Sequence, residues 1–168
     1  MIRQKQLRFL VLSALFGAAI TVVTAYVLHI PIPTGGYVHL GDALIYLAAC
    51  LLPAPYAIFA AAIGAGLADL LTAPMWVLPT VIIKSLVVLP FTGKNEKLLC
   101  KRNLVASGVS GILSTVLYSF AACILLGSWN AFIPQFAGTL VQAVGSAVVF
   151  VVLAAALDRV GIKKRVSL

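Results

Sequence analysis

Three long runs of this chain, at about 9–28, 104–127 and 132–157, contain no lysine or arginine and are bounded by polar or basic residues. About 20 apolar residues in helical conformation cover the roughly 30 Å of a bilayer's hydrocarbon core. A bundle of membrane-spanning helices is therefore the architecture from which every further reading starts. Composition agrees: 62% of the residues are hydrophobic, 10% are charged and the mean hydropathy is +1.13, against about 45–50% apolar and about 25% charged in a soluble domain. These values exclude a soluble globular protein, a disordered tail and a collagen-like repeat. The cysteines at 50, 100 and 123 offer neither a disulfide framework nor a zinc-ligand spacing.

Residues 39–93 are also apolar, but Pro53-Ala54-Pro55 and Thr72-Ala73-Pro74 interrupt them. Proline lacks an N–H and disfavours helix in the residue before it. Three more helices are predicted there, at about 39–53, 55–71 and 77–92, the first of them short for a full crossing. The expected fold is all-α: one polytopic membrane domain over residues 1–168, a compact bundle of six transmembrane helices.

A net charge of +8 raises the question of nucleic acid, and the positions of the charges answer it. Eleven of the twelve basic residues lie at the N-terminus (Arg3, Lys5, Arg8), in the 93–103 segment, or at the C-terminus from Arg159 to Arg165. The segments 29–38, 72–76 and 128–131 contain none. This is the bias of cytoplasmic loops, not a nucleic-acid face. Both termini and the 93–103 loop are expected on the cytoplasmic side of a cell membrane, an orientation that requires an even number of spans. Reading the first run as a cleaved signal peptide leaves an odd number and breaks the charge agreement.

Ionisable groups inside a bilayer are costly and need a partner or a wet cavity. Asp42, Asp69 and Lys84 are the candidates, all placed by this topology in the outer half. Two readings stand: an ion pair that ties helices together, or the lining of a pocket that opens outward. Tyr37, His39, Tyr118, Trp129, Asn130, Gln135 and Gln142 fall at or near the same level and are the remaining candidate ligand contacts. Apolar walls with a few convergent polar groups suit a small molecule, and aromatic faces suit a flat heterocycle. Ala14 and Ala18 make a small-residue face on the first helix that fits a partner helix, whereas the small residues of the third helix fit internal packing. No Walker-type loop, His-Glu-x-x-His or Gly-x-Ser-x-Gly occurs, so no enzyme, metal or cofactor is expected. The six segments show no two related halves of the kind found in stand-alone transporters, so the chain reads as one part of a larger machine.

The stretch Gly36-Tyr37-Val38-His39-Leu40-Gly41-Asp42-Ala43, followed by Ile63-Gly64-Ala65-Gly66-Leu67-Ala68-Asp69-Leu70 and Ile82-Ile83-Lys84, closely resembles the substrate-binding S components of energy-coupling factor (ECF) vitamin transporters. The similarity is greatest to the branch that includes riboflavin, hydroxymethylpyrimidine and pyridoxine-type members. The resemblance implies a subunit that captures a vitamin or precursor on the outer side and docks through its first helix, at Ala14 and Ala18, on a transmembrane coupling protein bearing two ATPases. ATP hydrolysis then belongs to those partners. It also implies that Asp42 and Asp69 are either helix-pairing or pocket carboxylates. The competing expectation is a structural or assembly membrane protein that binds partner helices and no small molecule.

Overall fold

The computed structural model describes residues 2–27 and 29–167; Leu28, the expected last residue of the first span, lies outside the described residues. Helix α1 (Ile2–Tyr26) leads into a short hairpin of β1 (Ile30–Pro31) and β2 (Tyr37–Val38). Helices α2 (Asp42–Leu51), α3 (Ala54–Thr72), α4 (Val77–Val87), α5 (Lys101–Leu126), α6 (Phe132–Arg159) and the short α7 (Ile162–Ser167) follow. Single 3-10 turns, Pro74–Trp76 and Trp129–Ala131, precede α4 and α6.

Proline and glycine set most of these boundaries. Leu52, before Pro53, is extended at φ −104° and ψ 152° and ends α2, because the pyrrolidine ring excludes helix there. Pro55 sits in the first turn of α3, where no N–H is needed. Pro74 stops α3 in the same way, and Pro90 lies just beyond α4, which ends at Val87 rather than near 92. Gly127 closes α5 in the left-handed region at φ +61°, a conformation glycine enters without a steric penalty. At its start α2 is shorter than expected, because His39 to Gly41 remain outside the helix.

Among the described residues, four helices, Arg3–Tyr26, Ala54–Thr72, Lys101–Leu126 and Trp129–Arg159, are long and apolar enough to cross a membrane. Asp42–Leu51 and Pro74–Val87 are apolar but shorter; the ten residues of α2 rise only about 15 Å. The distribution of polarity is the reverse of that in a water-soluble protein. Helix α5 buries Asn103, Ser107, Ser110, Ser114, Thr115, Tyr118 and Ser119, while Val105, Val109, Ile112 and Ile124 point outward, Ile124 at 81% exposed. Helix α6 likewise exposes Val141, Val144, Val148 and Val152 and buries Gln135, Thr139, Gln142 and Ser146. Apolar surface this continuous is stable only against lipid.

Helices α1 and α3, α5 and α6, and α3 and α4 make the most extensive pairings. The first is a small-residue contact: a Cβ added at Gly64 would lie 2.7 Å from the Gly17 carbonyl oxygen, and the Thr21 hydroxyl donates across the interface to Gly64 O at 2.8 Å. At the basic end of the bundle, Asn103 donates to Thr92 O and Leu98 O, and the Asp158 carboxylate accepts from the N–H groups of Leu98 and Leu99. Those bonds hold the charged 93–100 loop against α5 and α6.

Candidate functional site

Tyr37, His39, Asp69, Tyr118, Gln135 and Gln142, six of the residues singled out in the sequence, converge at the end of the bundle where α1 stops and α2 begins. A cavity of about 30 Å³ lies there, lined by Tyr37 and His39 from the hairpin region, Asp69 from α3, Trp76 and Thr80 from the start of α4, Tyr118 from α5, and Gln135, Thr139 and Gln142 from α6, with Gly36 above. Its volume is that of about one water molecule.

The wall on α6 follows from helix periodicity. Gln135, Thr139, Gln142 and Ser146 recur at spacings of four, three and four, which places them on one face, and all four are buried. Gln135 donates to Thr139 Oγ1 at 3.0 Å, leaving its carbonyl oxygen for the Thr34 hydroxyl of the hairpin, at 2.5 Å. Gln142 donates to Asp42 Oδ2 at 2.9 Å, and its carbonyl oxygen accepts from the His39 backbone N–H at 3.4 Å.

The hairpin covers the cavity as a lid. A glycine in the left-handed region, Gly35 at φ +75°, turns the chain so that Gly36 packs against the Trp76 ring, where a Cβ would be 3.5 Å from the indole nitrogen. Tyr37 stacks on His29 with ring centroids 3.9 Å apart and donates its hydroxyl to Asp69 Oδ1 at 2.6 Å. Burial, and then the neighbouring Asp69 carboxylate, raise the Tyr37 phenol above its ordinary value, so it remains a donor at neutral pH. The His39 Nδ1 accepts from the Gly41 N–H at 3.0 Å, which makes that nitrogen the unprotonated one.

Beneath the cavity, Lys84 and Asp42 form an ion pair at 2.6 Å, with side chains 1% and 3% exposed. Asp42 occupies the first turn of α2, where the helix dipole favours a negative group. The Lys84 ammonium also lies 5.0 Å from the centre of the Tyr118 ring. Tyr118 shares a hydrogen bond with Thr80 at 2.7 Å and packs on Trp76, with centroids 5.9 Å apart. Lys84 therefore reaches the cavity through Tyr118 and does not line it. Of the two readings of the charged residues, the ion pair describes Lys84 and Asp42, and the cavity lining describes Asp69.

One group in the wall is left over. The Trp76 Nε1–H is buried and has no hydrogen-bond partner, and a buried unsatisfied donor costs on the order of 1–3 kcal/mol. It marks a place where a ligand or a water can accept. The sequence candidates include Trp129 but not Trp76, and the structure reverses the two. Trp129 is 73% exposed and meets Phe120 edge-on, and its neighbour Asn130 is also exposed, so neither reaches the cavity. Thr34, Thr80 and Thr139 join the site without having been selected. The signal for Thr139 was its place in the α6 stripe, and for Thr80 its position one turn before Lys84.

Ala14 and Ala18 are exposed on α1, on the side away from Ser13, Gly17 and Ile20, which pack inward. The face they form is thus vacant within the bundle. A second, larger cavity of about 660 Å³ lies at the basic end and includes none of the candidate ligand contacts.

The sequence model described as "ECF-type riboflavin transporter, S component" matches residues 5–159. A protein of Pyrococcus woesei described as "Uncharacterized protein in gap 3'region" is 34% identical over 134 residues, which cover 78% of this chain and 88% of the relative.

Proposed function

The chain belongs to the ECF-type riboflavin transporter S component family, a family of substrate-binding membrane subunits, and from that premise we propose that it captures riboflavin, or a flat heterocycle of similar chemistry such as hydroxymethylpyrimidine or pyridoxine, beneath the 29–38 hairpin. The ligand enters from the outer face of a prokaryotic cell membrane. Six spans, both termini inside, satisfy the distribution of basic residues. Docking of the Ala14 and Ala18 face on a transmembrane coupling protein then links binding to two ATPase subunits, and this chain performs no chemistry of its own.

The observation that carries the reading is the composition of the closed cavity: Trp76 and Tyr118 supply aromatic faces, while Gln135, Thr139, Gln142 and the unpartnered Trp76 N–H supply hydrogen bonds. Donors and acceptors among aromatic walls match a ring system with carbonyl and ring-nitrogen edges. At about 30 Å³ the cavity is far below the roughly 300 Å³ at which ligand sites begin. Binding therefore requires the hairpin to lift and close again over the ligand. Lys84 and Asp42 act as positioning residues that fix Tyr118 and the start of α2.

Titration of purified protein with riboflavin, followed by quenching of flavin fluorescence, tests the proposal, with hydroxymethylpyrimidine and pyridoxine as competitors. A dissociation constant in the nanomolar range, about −12 kcal/mol, is expected for the true ligand. If none of the three binds, and mass spectrometry of the purified protein finds no co-purifying heterocycle, the proposal fails in favour of a helix-binding assembly protein.

A further inference from the structure

The cavity of about 660 Å³ at the basic end has a floor that includes Phe9, Leu52, Val88 and Phe91, and a rim that carries five basic side chains and one acidic one, Glu96. Segments distant in sequence build it: the first turns of α1, the Leu51–Ala54 corner, the loop after α4, the start of α5, and α7. Among its lining groups, the Lys163 Nζ is buried without a hydrogen-bond partner. Asp158, a nearby carboxylate, spends both oxygens on the backbone of Leu98 and Leu99. Burial lowers the Lys163 ammonium below its ordinary value, and the Asp158 carboxylate opposes this only in part.

We propose that this cavity holds the phosphodiester headgroup of an acidic phospholipid, with Lys163 as the inner contact, Lys5 and Arg102 on the rim, and the start of an acyl chain on the Phe9 and Phe91 floor. An apolar floor beneath a cationic rim matches a molecule that is anionic at one end and hydrocarbon at the other. Basic pockets between helices at the cytoplasmic surface bind such headgroups, and the density of basic residues identifies this end of the bundle as the cytoplasmic one. Leu89, 55% exposed, continues the apolar path from the cavity wall to the lipid-facing surface. A free phosphate would satisfy Lys163 but leave the floor empty. The site is separate from the hairpin cavity, so the proposal stands or falls independently of the vitamin reading.

The test uses the full chain in a neutral detergent, with native mass spectrometry and thermal unfolding as readouts. Dioleoylphosphatidylglycerol, dioleoylphosphatidylcholine and glycerol 1-phosphate are the probes. Phosphatidylglycerol is expected to bind and stabilise, phosphatidylcholine to do so much more weakly, and glycerol 1-phosphate not at all. Lys163→Gln should weaken phosphatidylglycerol binding about fivefold, the factor for one basic charge at an acidic lipid surface. Lys163→Arg should restore it, and Lys97→Gln, at an exposed residue outside the cavity, should leave it unchanged. Should Lys163→Gln fail to fold, Lys5→Gln on the rim carries the same expectation. Equal binding of the two lipids, full stabilisation by glycerol 1-phosphate, or displacement of phosphatidylglycerol by riboflavin would each overturn the proposal. So would protection of Lys163 from amine modification by a partner subunit but by neither lipid.

Discussion

Replacing Lys84 by Met removes one half of a buried ion pair, and the structure sets the size of the effect. The ammonium and the Asp42 carboxylate are 2.6 Å apart and both almost fully excluded from solvent. In Lys84→Met the carboxylate retains only the Gln142 amide, and in Asp42→Leu the ammonium retains only the face of Tyr118. Breaking one side of such a pair costs about 3–5 kcal/mol, while replacing both charges is often close to neutral. For a chain of this length the single substitutions should lower Tm by roughly 6–20 °C. The double variant should recover most of that, giving a coupling of at least about 2 kcal/mol in the cycle. Cys50 and Cys123 are buried free thiols and Cys100 is a partly exposed one, so in a Cys100→Ser background a thiol-reactive fluorophore reports unfolding. Because Lys84 acts through Tyr118, the double variant should still bind the ligand within about fivefold. A Lys84→Met chain as stable as the parent, or a double variant no better than the worse single one, would refute the pairing argument.

Trp76→Phe removes the unpartnered indole N–H while keeping an aromatic ring; stability should hold and ligand affinity should fall about tenfold, the worth of one hydrogen bond, as read by fluorescence titration. Gly64→Ala pushes a methyl group toward the Gly17 carbonyl, and a backbone contact that cannot yield should cost about 1–3 kcal/mol, measured by the same thiol assay. Ala14→Leu with Ala18→Leu alters only an exposed face of α1, so vitamin binding should be unchanged while uptake by cells containing the coupling and ATPase subunits is lost. The Tyr37 phenol is raised by burial and by Asp69, so its contribution is fully present below the ordinary tyrosine value of about 10 and disappears only above it. Ligand affinity should therefore be flat from about pH 7 to 9, and Tyr37→Phe should speed ligand release in stopped-flow measurements.

The long helices were legible because a membrane segment is written in consecutive residues, and Pro53, Pro74 and Gly127 punctuate it openly. What a helix buries was less legible, since in lipid the usual apolar stripe is inverted and the informative signal is the weak polar one. On α6 that signal was present in the spacing of Gln135, Thr139, Gln142 and Ser146, yet only the two glutamines draw attention by residue type. The two tryptophans show the limit from the other side. Both stand in short turns before a helix, but the turn after Pro74 rotates Trp76 inward over Tyr118, whereas Ser128, which caps the next turn through the Asn130 N–H, leaves Trp129 pointing out. That difference lies in tertiary packing against the hairpin, not in local composition. The pairing of Lys84 with Asp42 rather than Asp69 is of the same kind, because both carboxylates sit at the same level and only the helix arrangement chooses between them.

On the proposed reading, the hairpin acts as a lid, which accounts for a vitamin site whose closed cavity is too small for the vitamin. Among the described residues, the hairpin's own side chains hold it to the bundle through the bonds of Thr34 to Gln135 and of Tyr37 to Asp69. A neutral hydrogen bond contributes about 1 kcal/mol and one to a charged group about 1.5–3, so opening costs roughly 2–4 kcal/mol if water takes over both partners. The open form is then populated at roughly 0.1–3%, and the apparent affinity falls from its intrinsic value by that fraction. A lid of this strength keeps the polar wall covered when empty without preventing capture. It also predicts a trade: loosening the hairpin by Thr34→Val should raise the association rate, as the open fraction grows, and raise the dissociation rate at least as much, because the same bond closes over the bound ligand. An association rate that stays constant while dissociation accelerates would mean that the ligand enters by another route, and the hairpin would no longer be the gate.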